Sequence, residues 1–594
     1  MKRQIKTLLL LVTAGFLFVG PVHSKERINI PLSFDHYYTY DMVGEALKAL
    51  HEAYPEKTQL DLIGKSEEGR AIYGLTISNP ETGPALKKPG IYVDGNVHGN
   101  EIQAAEVCLY LADYLLGRYG KNPEVTQLVD KKTFYVVPIV NVDGRYHFFA
   151  DPNTPSSNRS LRRPHDDDRD GLVDEDFPDD LDGDGNICQM RKRDPFGNFK
   201  TNPEDERLLV RVKPGEKGEW TILGNEGIDN DGDGLINEDA EGYVDGNRNW
   251  GFDWAPEYVQ SGAGDYPFSG VGIKAIAKYI IDRPNICMAW DFHNSGGMYL
   301  RGPSNKTQNE FPRGDVEVYD YLGRQSERIT PGYRYLIAWK DLYSTYGDVD
   351  GFIVQLRGAY FFCGELFVSA SESFKSREEE KRAKPESGDD MSAYMGMGGR
   401  QLERLQFSDN LTQGELYKPW KPFKHPQYGD IEIGGWVKMS SRLPAPFMLK
   451  DLVHRNASAV IFSAKQTPEV SLEVFEVKKI GKDLYRVRTR LSNTKAMPSM
   501  SYLAQKVKLY PKDMLTLQGK NVEVVAGGRL TNIYFNKVEY KKYKPELQFT
   551  FVPGFGKVEH QFLVSGKNEV TICYVSRFAG ELKKTVALKE GSSF

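Results

Sequence analysis

The stretch IYVDGNVHGNE, residues 91–101, decides the class of fold. Its first four residues, of which Ile91, Tyr92 and Val93 are apolar, predict a short buried β-strand that stops at Gly95. From about Glu101 to Tyr119, apolar residues recur at helical spacing, so a helix is expected directly after the turn. A buried strand followed by a helix is typical of an α/β sheet, and His98 lies at the strand end, where such sheets place their functional sites.

The same alternation of strands and helices continues along most of the chain before Thr467. Apolar residues at helical spacing predict a helix from Tyr40 to Ala53. Short apolar and β-branched runs predict further strands at residues 60–63, 71–78, 133–140, 286–292 and 358–362. We therefore predict an α/β sheet with helices on both faces.

The pattern changes at about Thr467, where short alternating strands separated by Gly, Pro, Asn and Lys turns replace the helical periodicity. These strands are expected at residues 470–477, 484–491, 522–525, 548–552 and 569–575. The change predicts a small all-β sandwich domain over residues 466–594, after an α/β domain over residues 25–465. Residues 372–402, rich in Lys, Glu, Ser and Gly, are expected to form a surface excursion.

The N-terminus has the features of a signal peptide: a basic start, an apolar stretch from Leu8 to Val19, and small residues near Ser24. The apolar stretch is shorter than the roughly 20 residues that span a bilayer, so a membrane anchor is the weaker alternative. We predict that residues 1–24 are cleaved and that the protein is secreted or periplasmic, with no membrane span. The net charge of -5 argues against nucleic acid as a partner.

Two acidic segments, at about residues 164–190 and 227–241, interrupt the α/β pattern. Each contains the D-x-D-x-D-G core, whose alternating oxygen ligands and glycine suit Ca²⁺. The Glu expected at loop position twelve is absent, so these segments resemble short aspartate-rich calcium loops rather than EF-hands. A solvated acidic loop is the alternative. The predicted calcium ligands are Asp166, Asp168, Asp170, Asp180, Asp182, Asp184, Asp229, Asp231 and Asp233.

A zinc site is predicted around the first strand–helix turn. His98 and Glu101 form an H-x-x-E pair, which can converge on one ion from the turn and the first helical residues. A third ligand is available in His293, at the end of another apolar strand. Taken alone, the H-x-x-E pair is equally well explained as a chance occurrence on the surface. Taken alone, His293 is better explained as a buried histidine with a structural role. Two histidines at strand ends, among only ten in the chain, carry more weight together.

Further segments, in order, resemble landmarks of the zinc carboxypeptidase family, and the resemblance covers roughly residues 36–455. It implies a mixed central sheet, a His–Glu–His zinc site and a peptide or protein substrate with a free C-terminus. Val142 stands where the family usually has Pro, and Asn100 stands where some relatives carry an Arg. The segments that carry the resemblance are residues 63–70, 95–101, 138–144, 158–163, 245–250, His293 and 363–367.

The resemblance also implies roles for single residues. Glu365 corresponds to the catalytic base, and Arg162 to the residue that stabilises the oxyanion, with a shift to the adjacent Arg163 left open. Asn247 and Arg248 correspond to the clamp for the substrate carboxylate, since the planar guanidinium of Arg matches a carboxylate.

A mobile tyrosine of the family corresponds best to Tyr343, with Tyr346 as the competitor. Asp348, Val349 and Asp350 lie around the position that sets side-chain preference, so both basic and apolar C-terminal residues remain open.

The sequence thus predicts a secreted zinc carboxypeptidase, with zinc and calcium as its metals. A cell-wall amidase or peptidase on the same scaffold is the first alternative. A catalytically inactive binding protein is the second, disfavoured because ligands, base, oxyanion residue and clamp occur together.

Overall fold

A computed structural model of the chain describes residues 32–167, 169, 171–368 and 401–589. The predicted signal peptide, two of the predicted calcium ligands, Asp168 and Asp170, and almost all of the predicted 372–402 excursion lie outside the described residues.

The central sheet is mixed, as the family resemblance implied. Its strands are β1 (Thr58–Lys65), β2 (Ala71–Ile77), β3 (Gly90–Gly95), β4 (Thr133–Val137), β9 (Ile286–Asn294), β10 (Met298–Arg301), β11 (Arg334–Ile337) and β12 (Tyr360–Leu366). They lie in the order β1-β2-β4-β3-β9-β12-β10-β11. The inner strands β4, β3, β9 and β12 are parallel. Strand β1 pairs antiparallel with β2, and β2 pairs antiparallel with β4. At the other side, β10 pairs antiparallel with β12 and parallel with β11. The carboxyl ends of β3, β9 and β12 therefore meet at one edge.

Helices cover both faces of this sheet. Along β2, Tyr73 faces α1, where Lys48 lies over its ring, whereas Thr76 faces α5, where its hydroxyl lies 3.4 Å from that of Tyr279. Residues three apart on a strand point to opposite faces, so α1 and α5 lie on opposite sides. The helices are α1 (Tyr40–Ala53), α2 (Gln103–Arg118), α3 (Pro123–Lys131), α4 (Val142–Ala150), α5 (Val271–Ile281), α6 (Arg313–Ile329), α7 (Gln401–Leu411), α8 (Pro446–Lys465) and α9 (Tyr502–Val507).

Helix α1 begins and ends as its sequence predicts. Thr39 caps it by accepting a hydrogen bond from the Met42 amide. Its apolar residues Val43, Leu47 and Leu50 are buried at helical spacing. Short helical turns complete the α/β region at Pro80–Thr82, Ala85–Lys87, Ala338–Leu342, Val349–Gly351, Phe352–Arg357 and Lys438–Ser440.

A second, six-stranded sheet was not predicted. It contains β5 (Gln189–Arg193), β6 (Phe199–Thr201), β7 (Leu209–Arg211), β8 (Trp220–Asn225), β13 (Tyr417–His425) and β14 (Gly429–Trp436). Strand β5 pairs with β14, more than two hundred residues later, around a small core that includes Met190 and Ile433. Short strands that pair across such a separation leave no local periodicity for sequence analysis to detect.

The C-terminal region is an all-β sandwich, which confirms the prediction. Its strands are β15 (Val470–Gly481), β16 (Leu484–Asn493), β17 (Asp513–Gln518), β18 (Val522–Asn532), β19 (Lys537–Tyr540), β20 (Leu547–Thr550), β21 (Gly556–Gly566), β22 (Glu569–Ser576) and β23 (Gly580–Ala587). They form antiparallel sheets of order β15-β16-β21-β18-β19 and β20-β17-β22-β23, with a shared core. One short helix, α9, capped by Ser501, also lies in this region. The proposed domain boundary falls directly after Lys465, the last residue of α8.

Within the described ranges, no helix combines the length and the hydrophobicity that crossing a membrane requires.

Candidate active site

The turn between β3 and α2 places the first two candidate ligands. Asn96 adopts a left-handed backbone conformation, and its side-chain amide donates to the carbonyls of His98 and Gly99. A Cβ atom at Gly99 would lie 2.2 Å from the Asn158 carbonyl oxygen, so only glycine fits there. This tight turn points His98 and Glu101 into the same space.

The third candidate ligand comes from the neighbouring strand. Because β3 and β9 are parallel partners, their carboxyl ends coincide, and His293 lies beside the turn. His293 Nδ1 lies 2.9 Å from Glu101 Oε2 and 3.1 Å from His98 Nδ1, and His98 Nδ1 lies 3.1 Å from Glu101 Oε1. The structure thus gathers the three predicted ligands into one buried cluster.

The outer nitrogens of both histidines are held by carboxylates. His98 Nε2 lies 3.0 Å from Asp245 Oδ1, and His293 Nε2 lies 2.8 Å from Asp291 Oδ2. Carboxylates in this position orient metal-binding imidazoles and increase their basicity. Two imidazoles and one carboxylate, with such supporting groups, are a donor set that fits zinc.

The electrostatics of the cluster favour a cation. Burial lowers the pKa of His293, but the charges of Asp291 and Glu101 outweigh it and raise that pKa well above its usual value. Burial raises the pKa of Glu101, but His98 and His293 bring it well below its usual value. A metal ion entering this site would displace a proton, so metal binding should become weaker in acid.

A cavity of about 370 Å³ opens beside the cluster. Of the residues predicted for catalysis and substrate binding, it reaches Glu365, Asn247, Arg248 and Tyr343, but not Arg162. Other residues that line the cavity are Arg159, Arg301, Ser304, Asp348, Asp350, Cys363 and Arg442.

Glu365 faces the cluster from β12, where it is the register partner of His293 on β9. It lies inside the strand rather than past its end, because β12 continues to Leu366. Burial raises the pKa of Glu365; His293 opposes this shift and Glu101 adds to it. A carboxylate with an elevated pKa beside a set of metal ligands is suited to accept and return a proton.

Asn247 and Arg248 form the next part of the wall. The Asn247 amide nitrogen lies 3.2 Å from His293 Nε2, and its oxygen accepts from the Val349 amide at 3.0 Å. Arg248 is buried on the cavity wall, and its Nη1 donates to the Asn247 carbonyl. Tyr343 lies on the same wall with 40% of its surface exposed, which leaves room for the ring to move.

The structure does not bring Arg162 or Arg163 to the cavity. Arg162 donates to Asn158 Oδ1 at 3.0 Å and lies near Glu68. The reason is the bridge between Leu161 and Val244, which buries Leu161 and fixes the direction of the residues after it. The oxyanion role that the sequence assigned to Arg162 therefore has no support from this geometry.

Two other arginines occupy the cavity instead. Arg159 donates to Glu101 Oε1 at 3.3 Å and to Asp245 Oδ2 at 3.1 Å, and Arg442 donates to Glu101 Oε1 at 2.9 Å. Burial opposes the charge of Arg159, but Asp245 and Glu101 raise its pKa above the usual value. Arg159 lies within residues 158–163, one of the segments that carry the family resemblance, so the sequence contains a signal for it. Arg442 lies 341 residues beyond Glu101 and has no such signal.

The far end of the cavity is acidic. Asp348 and Asp350 are both buried there, and Ser304 Oγ donates to Asp350 Oδ2 at 3.0 Å. The other oxygen of Asp350 has no hydrogen-bond donor among the described residues. Burial, and then repulsion from Asp348, raise the pKa of Asp350 to about 8. The nearby Arg301 is engaged by Glu310 and Tyr335.

The predicted calcium ligands are only partly brought together. Asp180 and Asp182 form a cluster with Glu226, while Asp229, Asp231 and Asp233 form another. A third cluster joins Asp231 to two residues that were not predicted, Asp176 and Glu238. Two predicted ligands lie outside these clusters: Asp166 accepts hydrogen bonds from its own loop, and Asp184 pairs with Lys418.

Two parts of the chain match known protein families. Residues 43–206 match the model of the zinc carboxypeptidase family, and residues 469–587 match a domain of unknown function. Human carboxypeptidase D is 39% identical over 117 residues, 20% of this chain and 8% of that protein. Mouse carboxypeptidase M is 32% identical over 118 residues, 20% of this chain and 27% of that protein. Metallocarboxypeptidase A of Trichophyton tonsurans is 36% identical over 130 residues, covering 22% of this chain and 29% of that protein.

Among solved structures, thrombin-activatable fibrinolysis inhibitor matches with a TM-score of 0.44 and 16% identity, over 73% of this chain and 74% of that one. Carboxypeptidase A from Helicoverpa armigera matches with a TM-score of 0.39 and 20% identity, over 56% of this chain and 65% of that one. The aligned segments of the sequence relatives span less than a third of those proteins.

Proposed function

We propose that this chain, a member of the zinc carboxypeptidase family, removes single residues from the C-terminus of peptides or proteins. The observation that carries the proposal is the shared cavity. Three candidate metal ligands, one carboxylate suited to proton transfer and the buried Arg248 all line the same cavity. Separately, each group has a structural explanation; together they match the needs of peptide-bond hydrolysis next to a free carboxylate.

His98, Glu101 and His293 would hold the zinc ion. Zinc, when bound, supplies a Lewis acid that polarises a carbonyl group and acidifies water. Asp245 and Asp291 fix the orientation of the two imidazoles, so the donor atoms are arranged before the metal arrives. Zinc binding would therefore require little reorganisation of these side chains.

Glu365 is proposed as the general base. Its elevated pKa brings it closer to neutral pH, where a carboxylate can both take a proton from water and return it to the departing amine. Glu365 is the register partner of His293, so this proton transfer would take place next to the candidate zinc ligands.

Arg159 replaces Arg162 as the proposed oxyanion stabiliser. It is the arginine of the predicted segment that lies in the cavity, and its guanidinium already contacts a candidate zinc ligand. A positive charge held in a fixed position beside the reacting carbonyl stabilises developing negative charge more effectively than mobile water does. Arg442 lies on the same wall and is proposed to assist in substrate binding, which offsets the missing arginine at Asn100.

Arg248 and Asn247 are proposed to bind the terminal carboxylate of the substrate. Arg248 is buried, and its planar guanidinium can form a bidentate pair with a carboxylate. Tyr343 is proposed to close over the bound residue. The acidic end of the cavity favours a positively charged C-terminal side chain, because Asp350 offers an oxygen that no described residue satisfies.

The test of exopeptidase activity compares peptides that differ only at the C-terminus. Amidation should greatly reduce kcat/KM, because an amide cannot form the charge-assisted pair and leaves Arg248 without an anion. Arg248→Ala should lose most of this discrimination. Equal cleavage of free and amidated peptides, or internal cuts, would contradict the carboxypeptidase proposal and favour an amidase or peptidase on the same scaffold.

Two further parts of the sequence prediction are also proposed. We propose secretion or export to the periplasm on the basis of the signal-like N-terminus. We propose calcium as a second metal on the basis of the acidic segments. A catalytically inactive binding protein remains the opposing hypothesis, and absence of hydrolysis by zinc-loaded protein would support it.

A further inference from the structure

Asp176, in the first acidic segment, is fully buried but only half satisfied. Its side chain has an exposed fraction of 0%. Its Oδ1 atom accepts a hydrogen bond from the Asn230 side chain at 2.9 Å, whereas no donor in the described part of the chain reaches Oδ2. A buried carboxylate oxygen without a donor is destabilising unless a cation satisfies it.

The second acidic segment places two more carboxylates beside Asp176. Ligand oxygens of Asp176, Asp231 and Glu238 all lie within 4.8 Å of one another. Glu238 Oε2 also lacks a donor among the described residues. Asp231 additionally clusters with Asp229 and Asp233. The carboxylates within each of these two groups of three repel one another strongly in the absence of a positive charge, and Asp231 belongs to both groups.

The local sequence explains why a ligand must come from a distant segment. Asp229, Asp231, Asp233 and Gly234 occupy positions one, three, five and six of a calcium loop, but position twelve is Ala240. Glu238 lies two positions too early, and Asp176 comes from the other segment. Together these carboxylates can supply the oxygens that a position-twelve glutamate normally provides.

We propose that Asp176, Asp231 and Glu238 bind a calcium ion that joins the two acidic segments. The segments are already in contact around this point. Asn230 also donates to Asp179, and Asp239 Oδ2 accepts from the Asp176 amide at 2.8 Å. The ion would therefore stabilise an existing junction rather than draw together separate loops.

This site lies a short distance along the chain from the proposed carboxylate clamp. After Asp239, Glu241 accepts from the Asn158 amide, Val244 bridges to Leu161, and Asp245 supports His98. Resting on the proposed function, we infer that the ion keeps Asn247 and Arg248 in position, so its loss should raise KM more than it lowers kcat.

The binding test uses the full chain, loaded with zinc and freed of other cations. Calcium titration by calorimetry should show binding, and Asp176→Asn should bind one ion fewer or bind it at least about tenfold more weakly, because calcium affinity depends on ligand charge. This substitution keeps the oxygen that accepts from Asn230. Asp430→Asn, an exposed acid outside all three clusters, is the matched control and should bind as the native protein does.

Thermal unfolding separates ion binding from a merely structural role of Asp176. Without calcium, Asp176→Asn should melt at the same temperature as the native protein or higher, because a repulsive charge is removed. With calcium, the native protein should melt higher, because the ion binds only its folded state. An equal loss in both conditions, native-like calcium binding by the variant, or no calcium binding by the native protein would each overturn the site.

An activity measurement then tests the connection to the clamp. Calcium removal from zinc-loaded enzyme should raise KM for peptides with a free C-terminus while the zinc content stays constant. Calcium binding without any change in KM would overturn the connection but keep the ion site. If no peptide is hydrolysed under any condition, the proposed function fails, and the calorimetric and thermal results still decide the calcium site.

Discussion

Replacement of Asp350 by Asn tests whether the acidic end of the cavity selects the substrate. The side chain is 9% exposed, and one of its oxygens has no donor among the described residues. Asn has nearly the same shape and keeps an oxygen for Ser304, so the change removes charge with little change in packing. We expect hydrolysis of peptides ending in Arg or Lys to fall, and hydrolysis of peptides ending in Leu to remain.

The size of the effect follows from the bond that is lost. A hydrogen bond between charged groups contributes about 1.5–3 kcal/mol, so kcat/KM for basic substrates should fall by about 10- to 150-fold. Asp348 lies close by and keeps some negative charge in the cavity, which favours the lower half of that range. An exposed substitution, Asp430→Asn, should leave both substrates unaffected.

The pH dependence provides an independent check. Burial and Asp348 raise the pKa of Asp350 to about 8, so the preference of the native protein for basic residues should increase as pH rises toward that value. This increase with pH should be absent in Asp350→Asn. Between about pH 4 and 8, Asp350 has lost its proton in the unfolded chain but keeps it in the folded protein. The free energy of unfolding of the native protein therefore falls as pH rises through this range. The melting temperature of Asp350→Asn relative to native should therefore increase across this range.

The assay measures kcat/KM for matched peptides ending in Arg, Lys or Leu, at several pH values, with both variants. An unchanged preference for basic residues in Asp350→Asn would refute the selectivity argument. A uniform loss for all three peptides would indicate that the substitution distorts the cavity, and would equally count against a selective role.

Three further predictions concern the catalytic groups. His98→Ala and His293→Ala should each lose the bound zinc, since two remaining ligands do not form a stable site; full zinc content in both would contradict the metal assignment. Glu365→Gln should retain zinc and substrate binding while kcat falls by roughly 10²–10⁴-fold, and a near-normal kcat would remove its role as base. Arg159→Ala should reduce kcat by about 10²-fold or more, whereas Arg162→Ala should have a much smaller effect; the reverse order would restore the assignment from sequence.

Much of the fold could be predicted because its signals are local. The spacing of apolar residues predicted α1 with its observed ends, and the runs before Gly95 and around Phe292 predicted the strands that carry His98 and His293. Such patterns arise because one face of a helix, or both faces of a central strand, must be buried. Because β3 and β9 are parallel and adjacent, their carboxyl ends meet, and this brings His98 and His293 together.

Other features could not be predicted because they depend on partners far away in the chain. The second sheet exists only because β5 pairs with β14, and each strand alone is too short to be recognised. Strand β12 continues four residues beyond the predicted end at Phe362, to Leu366, which places Glu365 inside the sheet.

The sequence by itself determined the α/β and all-β regions, the strands that lead to His98 and His293, and the oxygen-rich composition of the acidic segments. Tertiary structure alone decided that Arg159 rather than Arg162 faces the cavity, and that Asp176 meets Asp231 and Glu238. The physical reason is that periodicity specifies which side of an element is buried, whereas the direction of a loop side chain is fixed by the contacts that surround it.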